Sequence, residues 1–297
     1  MRRFPFVTLD VFTRKPLEGN QLAVFPDARG LSDAEMQALA RETNLSETTF
    51  IMPRGAASER EHGIKVRIFT VAEELPFAGH PTLGTAALIH KQRGDKVVTL
   101  DLQVGKVPVR FSERDGGMFG EMTQRDPVFG SIHSKEALAR EALQCDPADF
   151  DHGLPIQTVS TGLAFAIVPL VSVAKLSSLQ FDYKRAAAYL EKTDAKFLYF
   201  IARDTEVNGN PGLKSFRSRM IFYNGEDPAT GSAAGCATAW LTQHGVIASE
   251  EAALIEQGVE IKRPSRIYIC ASKTGDSVRN VRVGGYSVEV VRGELEL

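Results

Sequence analysis

Glu47, His80 and Asp227 stand in the settings best suited to proton-transfer chemistry in this sequence. His80 and Asp227 open segments of one form: a polar residue, Pro, two residues, Gly with Thr or Ser, then an Ala-rich run. The segments are His80-Pro81-Thr82-Leu83-Gly84-Thr85-Ala86-Ala87 and Asp227-Pro228-Ala229-Thr230-Gly231-Ser232-Ala233-Ala234. Proline suits a first helical turn, where its missing N–H would have no partner anyway. The remaining first-turn N–H groups and the helix dipole attract anions. Two such helix starts facing each other would hold a carboxylate from two sides. A His and an Asp in equivalent places could polarise substrate groups or relay a proton. Either segment alone reads as a capped core helix, with Asp227 as the N-cap. Their repetition favours a site. Neither ends in Gly-Lys-Ser/Thr, so this is not a nucleotide P-loop.

Glu47 follows the polar turn Asn44-Leu45-Ser46 and opens the apolar run to Met52. Alone it reads as an ordinary strand-start residue. The second half of the chain carries Phe197 at the matching place, so the acid occurs in one half only. A two-base racemase would draw a base from each half. One carboxylate opposed by an apolar ring points to a single acid/base, and such a wall would raise its pKa above the usual value of about 4.3. Glu73, Glu74 and Glu226 lie near the motifs without a matching partner in the other half. His62, His90, His133, His152 and His244 have no motif around them, and Cys236 sits in an apolar helical run. No Gly-x-Ser-x-Gly and no metal-ligand cluster occurs.

The elements that position these residues repeat. The helix-like stretch 32–41 runs into 43–51, and 183–192 runs into 193–201. Arg67-Ile68-Phe69 matches Arg219-Met220-Ile221-Phe222, and the two Pro-Gly segments follow. Strands are expected near the N-terminus and at 97–102, 107–111, 157–160, 164–168, 266–271 and 281–291, with turns at Gly116-Gly117 and Gly284-Gly285. The expected fold is α+β: two pseudo-symmetric domains, each a mixed or antiparallel sheet wrapped around a central helix, with the active site in the cleft between them. The domains are placed at 1–124 and 125–279, and 280–297 is a candidate strand returning to the first.

Composition narrows the function. The 297 residues carry a formal charge of −2 and no long basic run, which excludes a nucleic-acid or membrane-surface role. No apolar stretch approaches the roughly 18 residues of a membrane span. Cys145, Cys236 and Cys270 form no CxxC pair, which fits a reducing cytoplasm.

Gly19-Asn20-Gln21-Leu22-Ala23-Val24, Asn44-Leu45-Ser46-Glu47-Thr48, Phe77-Ala78-Gly79-His80-Pro81-Thr82-Leu83-Gly84-Thr85 and Asp227-Pro228-Ala229-Thr230-Gly231-Ser232-Ala233 together resemble the signatures of the phenazine-biosynthesis PhzF-like family. Gln257-Gly258, Arg263-Pro264-Ser265 and Val283-Gly284-Gly285 extend the resemblance over essentially the whole chain. It implies a diaminopimelate-epimerase-like fold, a homodimer, no cofactor and no metal. It implies isomerisation of a small carboxylate, as in a trans-2,3-dihydro-3-hydroxyanthranilate isomerase. Glu47 would be the essential acid/base, assisted by His80 and Asp227. Ser232 and the backbone of Gly79 and Gly231 would hold the carboxylate, and Ser46 is counted with these binding residues. The cysteine pair of diaminopimelate epimerases is absent. An epimerase or racemase of another small acid, or a non-catalytic small-acid-binding protein, are the alternatives.

Overall fold

A computed structural model describes residues 1–205, 212–222 and 225–297. The chain divides into two compact units, Met1–Thr123 with Gly284–Leu297, and Gln124–Val283. Among the described residues no helix is long and apolar enough to cross a membrane.

In the first unit, β1 (Arg3–Val11) lies antiparallel to β2 (Asn20–Phe25) and to the C-terminal strand (Ser287–Glu296). Strand β2 is parallel to β3 (Glu47–Met52), so a crossover must join them, and α1 (Asp33–Thr43) supplies it. Ser32 and Glu35 close a capping box that starts α1. Met36, Leu39 and Ala40 bury its inner face. They join Phe25, Phe50 and Phe69 in one cluster, where the Phe25 and Phe50 rings stack at 4.9 Å. After α2 (Ala56–His62), β4 (Ile64–Phe69) returns antiparallel to β3 and pairs with the short β5 (Glu74–Leu75). The second crossover is α3 (Gly79–Arg93), leading to β6 (Val97–Leu102) parallel to β4. Strands β7 (Gly105–Arg114) and β8 (Gly117–Thr123) complete the unit as a hairpin. Its turn residues, Asp115 and Gly116, both have positive φ, as a tight hairpin of this hand requires.

The second unit repeats the plan. Strand β9 (Val128–His133) is antiparallel to β10 (Ile156–Ser160), with α4 (Lys135–Leu138) and a π-helical turn at Ala139–Leu143 in the connection. Strand β11 (Ala164–Leu170) follows antiparallel to β10. Helices α5 (Val173–Ser178) and α6 (Tyr183–Leu190) form the crossover to β12 (Phe197–Asp204), parallel to β11. Strand β13 (Lys214–Arg219) is antiparallel to β12, and β14 (Ile221–Phe222) pairs with β15 (Gly225–Glu226). Helix α7 (Gly231–Gln243) crosses to β16 (Ala253–Gln257), parallel to β13. Strands β17 (Ser265–Thr274) and β18 (Ser277–Gly285) follow, and the C-terminal strand is β19.

Strand register fixes the correspondence between the units. Phe50 pairs with Arg67 as Phe200 pairs with Arg219, which places Phe197 at the position of Glu47. Phe69 pairs with Glu74 as Ile221 pairs with Glu226. Counted from these strands, Gly79 corresponds to Gly231 and His80 to Ser232, and each glycine starts its helix. The sequence alignment of His80 with Asp227 is therefore corrected: Asp227 precedes α7 by four residues and corresponds to Leu75. Nor is Asp227 the N-cap, which is Thr230.

Three further expectations change. Glu74 and Glu226 are each other's counterparts in the two units, and each is held by an arginine. Arg67 Nε and Nη2 grip Glu74 at 2.8 and 2.6 Å, and Arg219 grips Glu226 at 2.8 Å through both nitrogens. Region 281–291 is two strands, broken at Tyr286, whose carbonyl accepts from Phe12 N. Gly284-Gly285 ends β18 rather than forming a turn. A Cβ on Gly284 would lie 2.6 Å from Phe119 Cζ, so the glycine serves close packing.

Arg219 also donates to the carbonyls of Leu176, Ser177 and Leu179. Its side chain is 9% exposed and that of Glu226 12%, against 19% and 21% for Arg67 and Glu74. Removing one partner strands the other charge in a poorly hydrated place. Arg219→Met should cost about 3–5 kcal/mol in urea unfolding and Arg67→Met clearly less; equal costs would contradict the burial difference.

Candidate active site

Glu47 is the first residue of β3 and enters the sheet at Leu22. Alternation along β3 turns Thr48 to α1, where its hydroxyl meets Thr43 Oγ1 at 2.7 Å. Thr49 turns to α3, where it meets Thr85 Oγ1 at 2.8 Å. Glu47 shares the face of Thr49, toward the central helix. There it meets His80, in the first turn of α3. His80 Nε2 lies 3.5 Å from Glu47 Oε2, and the two residues are only 3% and 6% exposed. His80 Nε2 has no hydrogen-bond partner among the described residues. Asn20, also buried, places Nδ2 3.2 Å from His80 Nδ1. That contact holds the Nδ1 side of the ring, and Nε2 is the nitrogen that faces Glu47.

Burial pushes the pKa of His80 down to about 3, and a hydrogen bond with the Gln21 backbone opposes this more weakly. The ring is therefore a neutral imidazole near pH 7. A buried carboxylate beside a neutral imidazole can exchange a proton with bound substrate, and the ring can donate or accept as charge moves.

Helix α3 begins at Gly79 with N-cap Ala78 and no side-chain cap. Its early N–H groups at Gly79 and His80 are thus not taken by a capping side chain, and Pro81 has none to offer. Ser46 lies half-buried just before Glu47.

In the second unit, Gly231 and Ser232 form the first turn of α7, both buried. This helix also lacks a side-chain cap. Its N-cap hydroxyl, Thr230 Oγ1, is directed instead to Asp227 Oδ2 at 2.6 Å. Its first-turn amides are likewise not taken by a capping side chain and stand at the positive end of the helix dipole. Gln124 braces this start: its Nε2 donates to the Gly231 carbonyl at 2.8 Å, and its Oε1 accepts from Thr161 Oγ1 at 2.6 Å. A Cβ at Gly235 would fall 1.9 Å from Gln124 Oε1, so this contact requires glycine there. Cys236, fully buried in α7, is a thiol held protonated, its pKa pushed up to about 11 by burial.

The structure thus brings Glu47, His80 and Gly79 together in the first unit, and Asp227, Gly231 and Ser232 in the second. Reading the residues for chemistry missed Asn20, Gln124, Thr230 and Gln257 as supports. Asn20, Thr230 and Gln257 did fall in motifs that carried the family resemblance.

A family model described as phenazine biosynthesis-like protein matches residues 9–293. A trans-2,3-dihydro-3-hydroxyanthranilate isomerase of Pseudomonas chlororaphis is 35% identical, the match covering 98% of this chain and 99% of that protein. Among solved structures, a predicted epimerase of Pseudomonas aeruginosa is 35% identical with a TM-score of 0.81, covering 98% and 99% of the two chains. A Bacillus anthracis phenazine biosynthesis protein of the PhzF family is 26% identical with a TM-score of 0.87 over the full length of both. The duplicated α+β fold and these relatives define an isomerase of the epimerase-like class. Within that class, the chain belongs to the phenazine biosynthesis-like, or PhzF, family.

The buried imidazole gives a test by pH. Its folded pKa of about 3 lies below the unfolded value of about 6.5, so the unfolded chain binds more protons between these limits. His80 therefore withdraws stability as pH falls from about 6.5 toward 3, and its effect is absent above that window. From pH 7 to 5, wild type should lose about 2 kcal/mol more unfolding free energy than His80→Asn. Parallel stability curves would show that His80 is not held neutral by burial.

Proposed function

We propose that this protein isomerises a small unsaturated amino acid of the trans-2,3-dihydro-3-hydroxyanthranilate type, Glu47 moving a proton from one ring carbon to another. The observation that carries this reading is the buried Glu47–His80 pair, with Phe197 in the corresponding place of the second unit. One base with no counterpart suits a proton that leaves and returns on the same face. It does not suit inversion, which needs a base on each face. Glu47 takes the proton from carbon, and the charge spreads into the conjugated system and carboxylate. The amides of Gly79 and Gly231 and the Ser232 hydroxyl hold that carboxylate, with Ser46 completing the contacts. Donors already oriented toward the developing charge stabilise the transition state without reorganising. His80 assists the transfer, and Asp227 holds the substrate amino or hydroxyl group. Glu47 then returns the proton to the second carbon, so the reaction consumes no other reactant and calls for no cofactor. We propose a cytoplasmic homodimer; three cysteines without a CxxC pair fit a reducing compartment.

Turnover of trans-2,3-dihydro-3-hydroxyanthranilate in deuterated water, followed by proton NMR, tests this. Wild type should isomerise it, and Glu47→Gln should be slower by on the order of 10³-fold while still binding. Inversion at one carbon of another small acid, with no double-bond shift, would instead establish an epimerase. Ligand binding unchanged in Glu47→Gln, with no deuterium uptake by wild type, would establish a binding protein.

A further inference from the structure

We propose that Thr230 and Gln257 are positioning residues that orient the Asp227 carboxylate through a one-directional chain of hydrogen bonds; the functional meaning rests on the role of Asp227 given above. Gln257 ends β16 and is fully buried. Its Oε1 accepts from Thr230 N at 3.2 Å and also faces the Tyr199 and Ser218 hydroxyls at 3.2 and 3.3 Å. The Thr230 N–H can only donate and the Asp227 carbonyl can only accept, which fixes which end of the amide is oxygen. Nε2 must therefore donate, and it does so to the Asp227 carbonyl at 2.8 Å and to Thr230 Oγ1 at 2.9 Å. Because Thr230 Oγ1 receives that proton, its own points to Asp227 Oδ2, 2.6 Å away. The carboxylate cannot rotate about its Cβ–Cγ bond without breaking this contact, so the position of its other oxygen is set. Gly258, with φ of +77°, lets the end of β16 come this close: a Cβ there would sit 2.6 Å from the Pro228 carbonyl.

The first unit shows that the fold does not need this chain. Lys65 pairs with Asp101 as Arg217 pairs with Glu256. Leu102 thus corresponds to Gln257, Ala78 to Thr230 and Leu75 to Asp227. All three are buried. The same backbone is built there from three apolar residues, so the polar set in the second unit serves Asp227 rather than folding.

The test uses the full-length protein with Thr230→Val and Thr230→Ser, each in wild-type and Asp227→Asn backgrounds. Thr230→Val should lower kcat about 10- to 100-fold, the size of a lost hydrogen bond to a charged group, and Thr230→Ser should restore it to within about threefold. In the Asp227→Asn background the Thr230→Val loss should shrink to a few-fold at most. The same fold-loss in both backgrounds would overturn the proposal. If Thr230→Val does not fold, Thr230→Ala replaces it, since Ala78 already occupies the corresponding place in the first unit. A second readout needs no substrate. In protein labelled with ¹⁵N-glutamine, both Gln257 side-chain amide protons should exchange slowly, and one should become fast in Thr230→Val. Fast exchange of either in wild type would remove the chain. Failure of wild type to turn over the proposed substrate would sink the function reading alone, and the exchange result would still decide the chain.

Discussion

A helix that starts inside its own sheet leaves backbone amides with nowhere to go, and both units are organised around that constraint. The first turns of α3 and α7 are buried, and neither is closed by a capping side chain. Small residues let the sheet close around each helix. Gly84 is one such point, where a Cβ would lie 2.7 Å from both Leu22 Cδ2 and Val11 Cγ2. Hydroxyls within the helices are satisfied locally: Thr82, Thr238 and Thr242 each donate to the carbonyl four residues earlier. The polar capacity that remains is concentrated at the two helix starts, where an anion could use it.

Around this shared frame the units divide their chemistry. The arginine–glutamate grips, Arg67–Glu74 and Arg219–Glu226, occur in both and hold the strand that feeds each helix. What differs lies at corresponding positions near the helix starts: Glu47 against Phe197, His80 against Ser232, Leu75 against Asp227. A buried carboxylate–imidazole pair stands in the first unit. The second has a hydroxyl and a hydrogen-bonded carboxylate near its helix start. One scaffold is thus present twice, with different side chains at a few corresponding positions. The buried, neutral His80 belongs to this division, since a charged ring at that depth would be costly and would hold Glu47 in a fixed ion pair.

Much of this is legible in the chain itself. Apolar runs, the Ser32–Glu35 capping box, the Ala-rich helices and the repeat of strand, arginine and glycine follow from local pattern, because each depends on residues close in sequence. The single carboxylate at Glu47 and its apolar counterpart Phe197 were also readable, as both open an apolar strand that follows a helix. The frame of the second repeat was not. Proline and alanine align His80 with Asp227, whereas strand pairing aligns His80 with Ser232, and only hydrogen bonds between strands distant in sequence decide between these. For the same reason the correspondence of Glu74 with Glu226 was hidden, as were their arginines: each lies seven residues away but meets its glutamate only after the strands pair. Tertiary structure alone brought Glu47 to His80, 33 positions apart, and Gln257 to Asp227, 30 apart. Residue type can nominate an acid or a base. Its partner, burial and direction depend on which distant strands and helices surround it.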